Sequence, residues 1–314
     1  MRLRGIRSFG PTLWGIALFL VVLAGTAPWI PVFLLTVLIQ LLIFSTLAYS
    51  LNLITGLTGY VSFGHVVFMA FGAYALAFAV GTFHLHPVAG VALGALVGLA
   101  LALGIGGVTL RFRGVYFAIA TLVVAVAASY IVLEIKELGD GQGIILNIGF
   151  EPLSWFYTIW VILAAEVIVT YWITHGRIGY GVQSIKSDED AAKSVGVNAA
   201  RVKLFLYALS GLFAGGAGGV YAWTASGAFP YQAFNLMFSL QMLAMIVIGG
   251  MGTLLGPLIG AVVVYIPSYI FLTVLIGFQF IIIGIVVIII ALFVPEGIVG
   301  SLRKYVPELR GFLE

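Results

Sequence analysis

The chain has 314 residues, of which 62% are hydrophobic and 8% are charged, with a formal net charge of +3. Soluble domains carry about 25% charged residues, so this composition excludes a soluble globular fold and is typical of a protein that crosses a membrane several times. Cysteine is absent, which excludes disulfides, thiol catalysis and cysteine-bound metal clusters. The basic residues form no patch interleaved with aromatic ones, so the sequence predicts no binding of nucleic acid.

Long apolar runs set the predicted fold. Residues 8–110 and 204–295 contain no Asp, Glu, Lys or Arg. A membrane span needs about 20 apolar residues, so each run holds about four spans with their turns. Two more spans fit residues 114–133 and 155–174. We therefore predict an all-α, polytopic integral membrane protein with about ten transmembrane helices, eight or nine being the alternatives, in a single domain over residues 1–314.

The charges predict the orientation of these spans. Basic residues favour the cytoplasmic side of a membrane. Ten crossings that start from a cytoplasmic amino terminus put every basic cluster on that side, namely residues 2–7, 111–113, 177–203 and 303–310. The acidic loop of residues 134–151 then lies outside, and both termini are cytoplasmic. The first apolar stretch, residues 13–30, is long for the hydrophobic region of a signal peptide, so we interpret it as an uncleaved span.

One short stretch, the charged segment (residues 177–203), holds eight of the 14 basic and 11 acidic residues. Ser187, with Asp190 three residues later, predicts a capping box at the start of a helix of roughly two turns. Gly196 is placed to end that helix in a left-handed conformation, and Asn198 to cap the next one. Such a concentration of charge indicates a surface presented to a soluble partner; the alternative is an ordinary interfacial loop with well-formed caps.

Two glycine-rich breaks interrupt the apolar runs near the predicted cytoplasmic side. The first break (residues 56–65) includes Gly56, Gly59, Ser62, Gly64 and His65, and the second break (residues 249–257) includes Gly249, Gly250 and Gly252. Breaks at membrane depth free backbone groups that protein or a watery cavity must satisfy. We therefore predict that the breaks either line a transport pathway or form tight turns between spans.

Small residues also recur at four-residue spacing. They form two rows, the first with Gly90, Gly94, Gly98, Ala102 and Gly106, and the second with Gly211, Gly215 and Gly219. Close approach through small side chains supplies the packing between helices in lipid. The rows predict packing within the bundle or, alternatively, an interface with a second membrane subunit.

The charged segment also resembles a known family. The stretch Ile185-Lys-Ser-Asp-Glu-Asp-Ala-Ala-Lys-Ser-Val-Gly-Val-Asn198 is similar to the cytoplasmic coupling loop of branched-chain amino acid ABC permeases. Four other stretches resemble the family in the same order, namely the first break with Phe68, Gly72, Ala73 and Tyr74, residues 113–122, residues 248–261, and Pro295, Gly297 and Gly300. The resemblance runs from about residue 52 to residue 300 and is to the M-type subunit. The outer loop at residues 139–143 departs from it, because it keeps the glycines but not the Thr-Gly-Gly of the family.

The resemblance implies a permease subunit of an ATP-driven importer of leucine, isoleucine and valine in a bacterial or archaeal cytoplasmic (inner) membrane. The implied partners are two ABC ATPase subunits, a second, H-type permease, a periplasmic or lipid-anchored substrate-binding protein, and membrane lipid. The implied ATPase-coupling residues are Asp188, Glu189, Asp190, Ala191, Ala192 and Gly196. No lysine follows a glycine, so the chain has no P-loop. We therefore expect ATP hydrolysis by the partner subunits, and neither enzyme activity nor a bound cofactor or metal in this chain.

Other functions remain open at this point. The same architecture could carry urea, amides or other amino acids. A secondary transporter coupled to ions would need ionisable groups inside the membrane, and Glu166, in the middle of the span at residues 155–174, is the candidate. The alternative for Glu166 is a protonated, hydrogen-bonded structural carboxyl. A membrane-embedded enzyme has the least support, because the close pair His84 and His86 supplies only two metal ligands.

Overall fold

The computed structural model describes residues 11–274, 284 and 297–305. About four fifths of this part of the chain is helical. The α-helices are α1 (Pro11–Thr26), α2 (Val32–Leu51), α3 (His65–Phe83), α4 (Pro87–Thr109), α5 (Val115–Glu134), α6 (Pro152–His175), α7 (Arg177–Ser187), α8 (Glu189–Ser194), α9 (Ala199–Thr224), α10 (Pro230–Ala233), α11 (Leu236–Gly249), α12 (Gly256–Val274) and α13 (Gly297–Tyr305). A π-helical turn (Asn52–Gly56) follows α2, 3-10 turns lie at Ala27–Trp29 and Lys136–Leu138, and two short strands, β1 (Ile144–Ile145) and β2 (Gly227–Ala228), form an antiparallel pair.

Long apolar helices confirm the predicted polytopic, all-α fold. Within the described residues, seven helical stretches are long and apolar enough to cross a membrane: Val32–Gly56, His65–Phe83, Pro87–Thr109, Val115–Glu134, Pro152–His175, Ala199–Thr224 and Pro230–Gly249. Two shorter apolar helices, Leu13–Trp29 and Gly256–Tyr269, lie among them. The count of ten stays a prediction, because residues 275–283 and 285–296, on which the last of the ten spans falls, lie outside the described residues.

The turns between helices gather at two opposite ends of the bundle. At one end, Tyr60 (after α2) and Arg113 (before α5) both contact α8 of the charged segment. At the other end, Ile144 of β1 pairs with Ala228 of β2. The basic turn at residues 111–113 and the charged segment therefore share one end, as the charge pattern predicts. Which end faces the cytoplasm stays a prediction.

The rows of small residues form the tightest packing, between α3, α4 and α9. A Cβ atom at Gly98 would lie 2.1 Å from the carbonyl oxygen of Gly211, and one at Gly94 would lie 2.8 Å from that of Gly72. A Cβ at Gly72 would lie 2.0 Å from the carbonyl oxygen of Gly215. The three helices thus meet backbone to backbone. Packing within the bundle is confirmed, and the alternative of a subunit interface is wrong for these rows, because their neighbours in this chain already cover them.

We predict opposite effects for two Gly→Ala substitutions on α4. Gly98→Ala should lower the free energy of unfolding by about 1–3 kcal/mol, because the new methyl group would overlap the α9 backbone. Gly104→Ala is the matched control, since a Cβ there meets no atom within 4 Å, and alanine is a better helix former than glycine. The measurement is the melting temperature of each variant in detergent. Equal melting temperatures for the two variants would contradict this packing.

Candidate functional site

The charged segment folds as α7, the short helix α8 and the first turn of α9. The predicted capping box at Ser187 and Asp190 is wrong. Asp188 caps α8 instead, its Oδ1 accepting hydrogen bonds from the backbone N–H groups of Asp190 (2.8 Å) and Ala191 (3.0 Å). The physical reason is that α7 continues through Ser187, whose hydroxyl donates to the Gln183 carbonyl, so the first extended residue is Asp188. The helix is therefore shorter than the two turns predicted.

The two other helix ends predicted in the charged segment are confirmed, the end of α8 at Gly196 and the start of α9 at Asn198. Gly196 has a φ of +89°, and its N–H donates to the carbonyl of Lys193. Glycine adopts this left-handed conformation without the steric penalty of a Cβ atom. Asn198 caps α9, its side-chain oxygen accepting from the N–H of Arg201 at 3.1 Å. These caps hold α8 between two fixed turns.

Glu189 lies at the centre of a hydrogen-bonded ion network. Its Oε2 accepts from the Lys203 ammonium at 2.9 Å and from the Tyr60 hydroxyl, and its Oε1 accepts from Lys193 at 2.9 Å. The Lys203 side chain is only 2% exposed, and its ammonium also lies 4.1 Å from the centroid of the Tyr60 ring. A buried ammonium needs a paired, hydrogen-bonded anion, and Glu189 supplies it. The network therefore ties α8 to α9 and to the turn that precedes α3.

Asp190 makes a second tie, to the turn before α5. Its two carboxylate oxygens accept from the two terminal nitrogens of Arg113, each at 3.0 Å. Both side chains are mostly exposed, so this pair contributes little to stability, but its bidentate geometry defines the orientation of the helix. Instead of capping α8, the Asp190 side chain binds another part of the chain.

These contacts also fix the ionisation of the network. Burial disfavours the charged form of Glu189, yet the hydrogen bonds from Tyr60, Lys193 and Lys203 outweigh it and hold the pKa of Glu189 at about 2. The pKa of Asp190 is lowered by its hydrogen bonds to Arg113. Burial, and then the hydrogen bond to Glu189, raise the pKa of Tyr60 above its usual value. The stability that the ionised Glu189 contributes is fully present above the unperturbed pKa of 4.5, and it is lost progressively as the pH falls from there through about 2.

The two glycine-rich breaks contact each other at the same end of the bundle. Asn52, in the π-helical turn, accepts from the N–H of Gly252 at 2.8 Å and donates to the carbonyl of Thr253 at 3.2 Å. The hydroxyl of Tyr49 donates to the carbonyl of Leu254. Tyr49 in α2 and Asn52 in the π-helical turn after it thus satisfy backbone groups of the second break. We call this contact between the breaks the break junction.

Only glycine fits at the centre of the break junction. A Cβ at Gly56 would lie 2.6 Å from the Gly252 nitrogen, and one at Gly252 would lie 2.7 Å from the Gly56 carbonyl oxygen. Gly252 also has a φ of +81°, which favours glycine. The Lys186 ammonium of α7 reaches the junction and donates to the Gly56 carbonyl at 2.7 Å. Burial lowers the pKa of Lys186.

The remaining predicted residues of the first break form the turn into α3. Gly59 has a φ of +80° in open space, and Gly64 packs against the Thr121 carbonyl of α5. The ring of His65 is buried, and its Nδ1 lies 3.3 Å from the Ser62 hydroxyl. In this part of the chain the break is a tight turn, as one alternative predicted.

The glycines that open the second break pack closely as well. A Cβ at Gly249 would lie 1.8 Å from the Gly256 carbonyl oxygen, and Gly250 has a φ of +121°. The second break is therefore also a tight turn. A role of either break in lining a pathway stays a prediction.

Sequence reasoning missed Asn52, Tyr60, Arg113 and Lys186 as parts of this site. Two of them carry a readable signal: Asn52 is an amide within a long apolar run, and Lys186 lies in the charged segment beside the predicted residues. Tyr60 and Arg113 stand in stretches that resemble the family, but neither position indicates which residue of α8 it binds.

Glu166 lies in α6 with its side chain fully buried, as predicted for a residue in mid-span. Neither carboxyl oxygen has a hydrogen-bond partner among the described residues, and nor does the hydroxyl of Thr170 one turn later. One alternative predicted that Glu166 is a hydrogen-bonded structural carboxyl. The described residues supply no partner for that hydrogen bond. His84 and His86 lie in an exposed turn, where His84 ends α3 with a φ of +51° and His86 caps α4.

Comparison with known proteins connects this geometry to a family. The model of the branched-chain amino acid transport system / permease component matches residues 33–293. No solved structure matches the chain.

Individual relatives agree with that match. The high-affinity branched-chain amino acid transport system permease protein LivM of Salmonella typhimurium is 27% identical over 258 residues, which cover 70% of this chain and 59% of that protein. The protein of the same name from Escherichia coli is 26% identical over 258 residues, with the same coverage. The Escherichia coli ribose import permease protein RbsC is 25% identical over 197 residues, 56% of this chain and 61% of that protein. The chain thus spans about three fifths of the length of the curated relatives it matches. It belongs to the family of branched-chain amino acid transport system permease components and is similar to LivM.

Proposed function

We propose that the chain is a permease subunit of an ATP-driven importer whose substrates are leucine, isoleucine and valine. The family and the LivM relatives support transport of branched-chain amino acids. The RbsC relatives bear the name of a ribose importer, so related chains serve other substrates as well. Urea, amides and other amino acids are the alternatives within the same architecture.

The observation that carries this proposal is the exposed outer face of α8. Of the six predicted coupling residues, Asp188, Asp190, Ala191 and Gly196 are exposed, whereas Ala192 is buried and Glu189 is half-buried. Val195 of the same segment is 76% exposed although it is apolar. The inner face of the helix holds α8 on the bundle, and the outer face offers carboxylates together with small and apolar side chains. Such a face suits insertion into a groove of an ATPase subunit.

The network described above supports a mechanism of alternating access. The positive-inside rule puts this end of the bundle in the cytoplasm, together with both termini. Movement of the ATPase subunits during ATP hydrolysis displaces α8. Because Glu189 and Asp190 bind Tyr60, Lys203 and Arg113, the displacement reaches the segments that lead into α3, α5 and α9.

The remaining partners follow from the resemblance. We propose a second, H-type permease beside this chain, two ATPase subunits on the cytoplasmic face, and a periplasmic or lipid-anchored substrate-binding protein on the other face. The partner subunits hydrolyse ATP, and this chain binds no cofactor. The host membrane is a bacterial or archaeal inner membrane.

The second candidate function, ion-coupled transport, depends on Glu166. A fully buried carboxyl without a described partner is a functional candidate in a membrane. Glu166→Gln keeps the shape of the side chain and removes its titration. Loss of uptake in this variant, with assembly and ATP hydrolysis intact, would favour ion coupling over the proposal.

We predict that the assembled transporter takes up labelled leucine in an ATP-dependent manner. The measurement is uptake by cells without other leucine transport, with and without this chain, in the presence of excess competitors. Isoleucine and valine should suppress the uptake, whereas urea and ribose should not. Suppression by urea or ribose alone would contradict the proposed substrate and leave the permease architecture in place.

We further predict that a double variant in which Arg113 and Asp190 exchange charges recovers the uptake that each single variant loses. Arg113→Glu places a carboxylate beside Glu189 and Asp190, and Asp190→Arg places two guanidinium groups together, so each single variant should lose uptake severalfold. The double variant restores an opposite pair and should regain more than half of the uptake. Uptake normalised to protein in the membrane is the measurement. Additive losses in the double variant would contradict coupling through this pair.

A further inference from the structure

The break junction brings together three parts of the chain that are distant in sequence. The π-helical turn after α2 supplies Asn52 and the Gly56 carbonyl, and the turn between α11 and α12 supplies Gly252. The third part is α7, through Lys186. A junction of two interrupted spans is a place where small displacements change the path of both helices.

Lys186 binds the first break and lies beside Gly252 of the second. Its ammonium donates to the Gly56 carbonyl at 2.7 Å, and it would lie 3.0 Å from a Cβ atom at Gly252. Gly56 is the last residue of the π-helical turn, where the carbonyls of a helix lack intrahelical partners and carry partial negative charge. The cation therefore satisfies a backbone group that the break has freed.

Apolar packing supports the same contact. Val182 lies one turn before Lys186 on α7 and is buried in a cluster with Leu53 of the π-helical turn and Leu57 of the first break. Helix α7 thus shares an apolar cluster with the π-helical turn and the first break, through a side chain on the same face as Lys186. The other polar ties of the charged segment described above, from Glu189 and Asp190, reach Tyr60, Lys203 and Arg113 and not the junction.

We propose that Lys186 is a positioning residue that joins the charged segment to both breaks, so that a displacement of α7 moves the end of α2 and the α11–α12 turn together. This inference rests on the proposed function. It adds a second connection between the ATPase-facing segment and the spans, separate from the one through Glu189. Lys186 acts on the pathway through the backbone of the breaks and not by touching the substrate.

The first test measures coupling in the reconstituted transporter with all its subunits. Lys186→Met keeps an unbranched side chain, one atom shorter, and removes the ammonium, whereas Lys186→Arg keeps a cationic donor. Arg201→Met is the charge-matched control, because it removes one positive charge from an exposed position of the same segment. Substrate transported per ATP hydrolysed should fall about tenfold in Lys186→Met, as expected when a charge-assisted hydrogen bond is lost. It should recover in Lys186→Arg and stay unchanged in Arg201→Met.

The outcomes separate this inference from the proposed function. An unchanged ratio in Lys186→Met, with wild-type uptake intact, would overturn the role of Lys186 alone. Absence of ATP-dependent uptake in the wild-type assembly would instead overturn the proposed function.

The second test measures a distance within this chain and not transport, so it can be made even on a variant that inserts poorly into the assembly. The chain has no cysteine, so spin labels can be placed at single introduced cysteines. Gln183 on α7 and Met251 in the second break are both exposed. The distance between labels at these positions should have one narrow distribution with and without ATP, and Lys186→Met should broaden it. A distribution that Lys186→Met leaves narrow would overturn the proposal.

Discussion

In a bilayer, backbone N–H and C=O groups must find partners within the protein, and this constraint shapes both interruptions of the helices. The π-helical turn after α2 and the turn between α11 and α12 each free groups that no lipid can satisfy. The protein places the two interruptions against each other, where Asn52 and Lys186 supply the missing partners. The close approach of Gly56 and Gly252 makes this arrangement possible.

In lipid there is no hydrophobic drive between helices, so close packing of their backbones has to hold them together. This explains the backbone contacts among α3, α4 and α9. These helices form a tightly packed centre, and α9 is continuous with the charged segment through Lys203. A displacement of α8 thus acts on α9, which has little room to bend because α3 and α4 pack closely against it. The glycine packing and the ion network are two parts of one mechanical connection.

Within the charged segment, some side chains attach α8 to the bundle and others are exposed to a partner. Glu189 and Ala192 face the bundle, whereas Asp188, Ala191 and Gly196 face away from it. The inward carboxylate stays ionised at physiological pH because three donors surround it. The charge of Glu189 therefore does not change over the range of pH in which cells live.

The sequence by itself determined the all-α polytopic class, the apolar runs that hold the described spans, the glycine packing rows and the segment that carries the charge. Apolar length, small-residue spacing and helix-ending residues such as Gly196 and Asn198 are local signals, so they can be read from neighbouring positions. The cap at Asp188 was misread because the end of α7, and not the local pattern, decides which residue is extended. Only the tertiary structure decided that Asp190 binds Arg113, that Glu189 binds Tyr60 and Lys203, and that Asn52 and Lys186 join the two breaks. These partners are separated by up to 200 residues, and a charge or an amide in a sequence gives its chemistry but not the direction in which its side chain finds a partner.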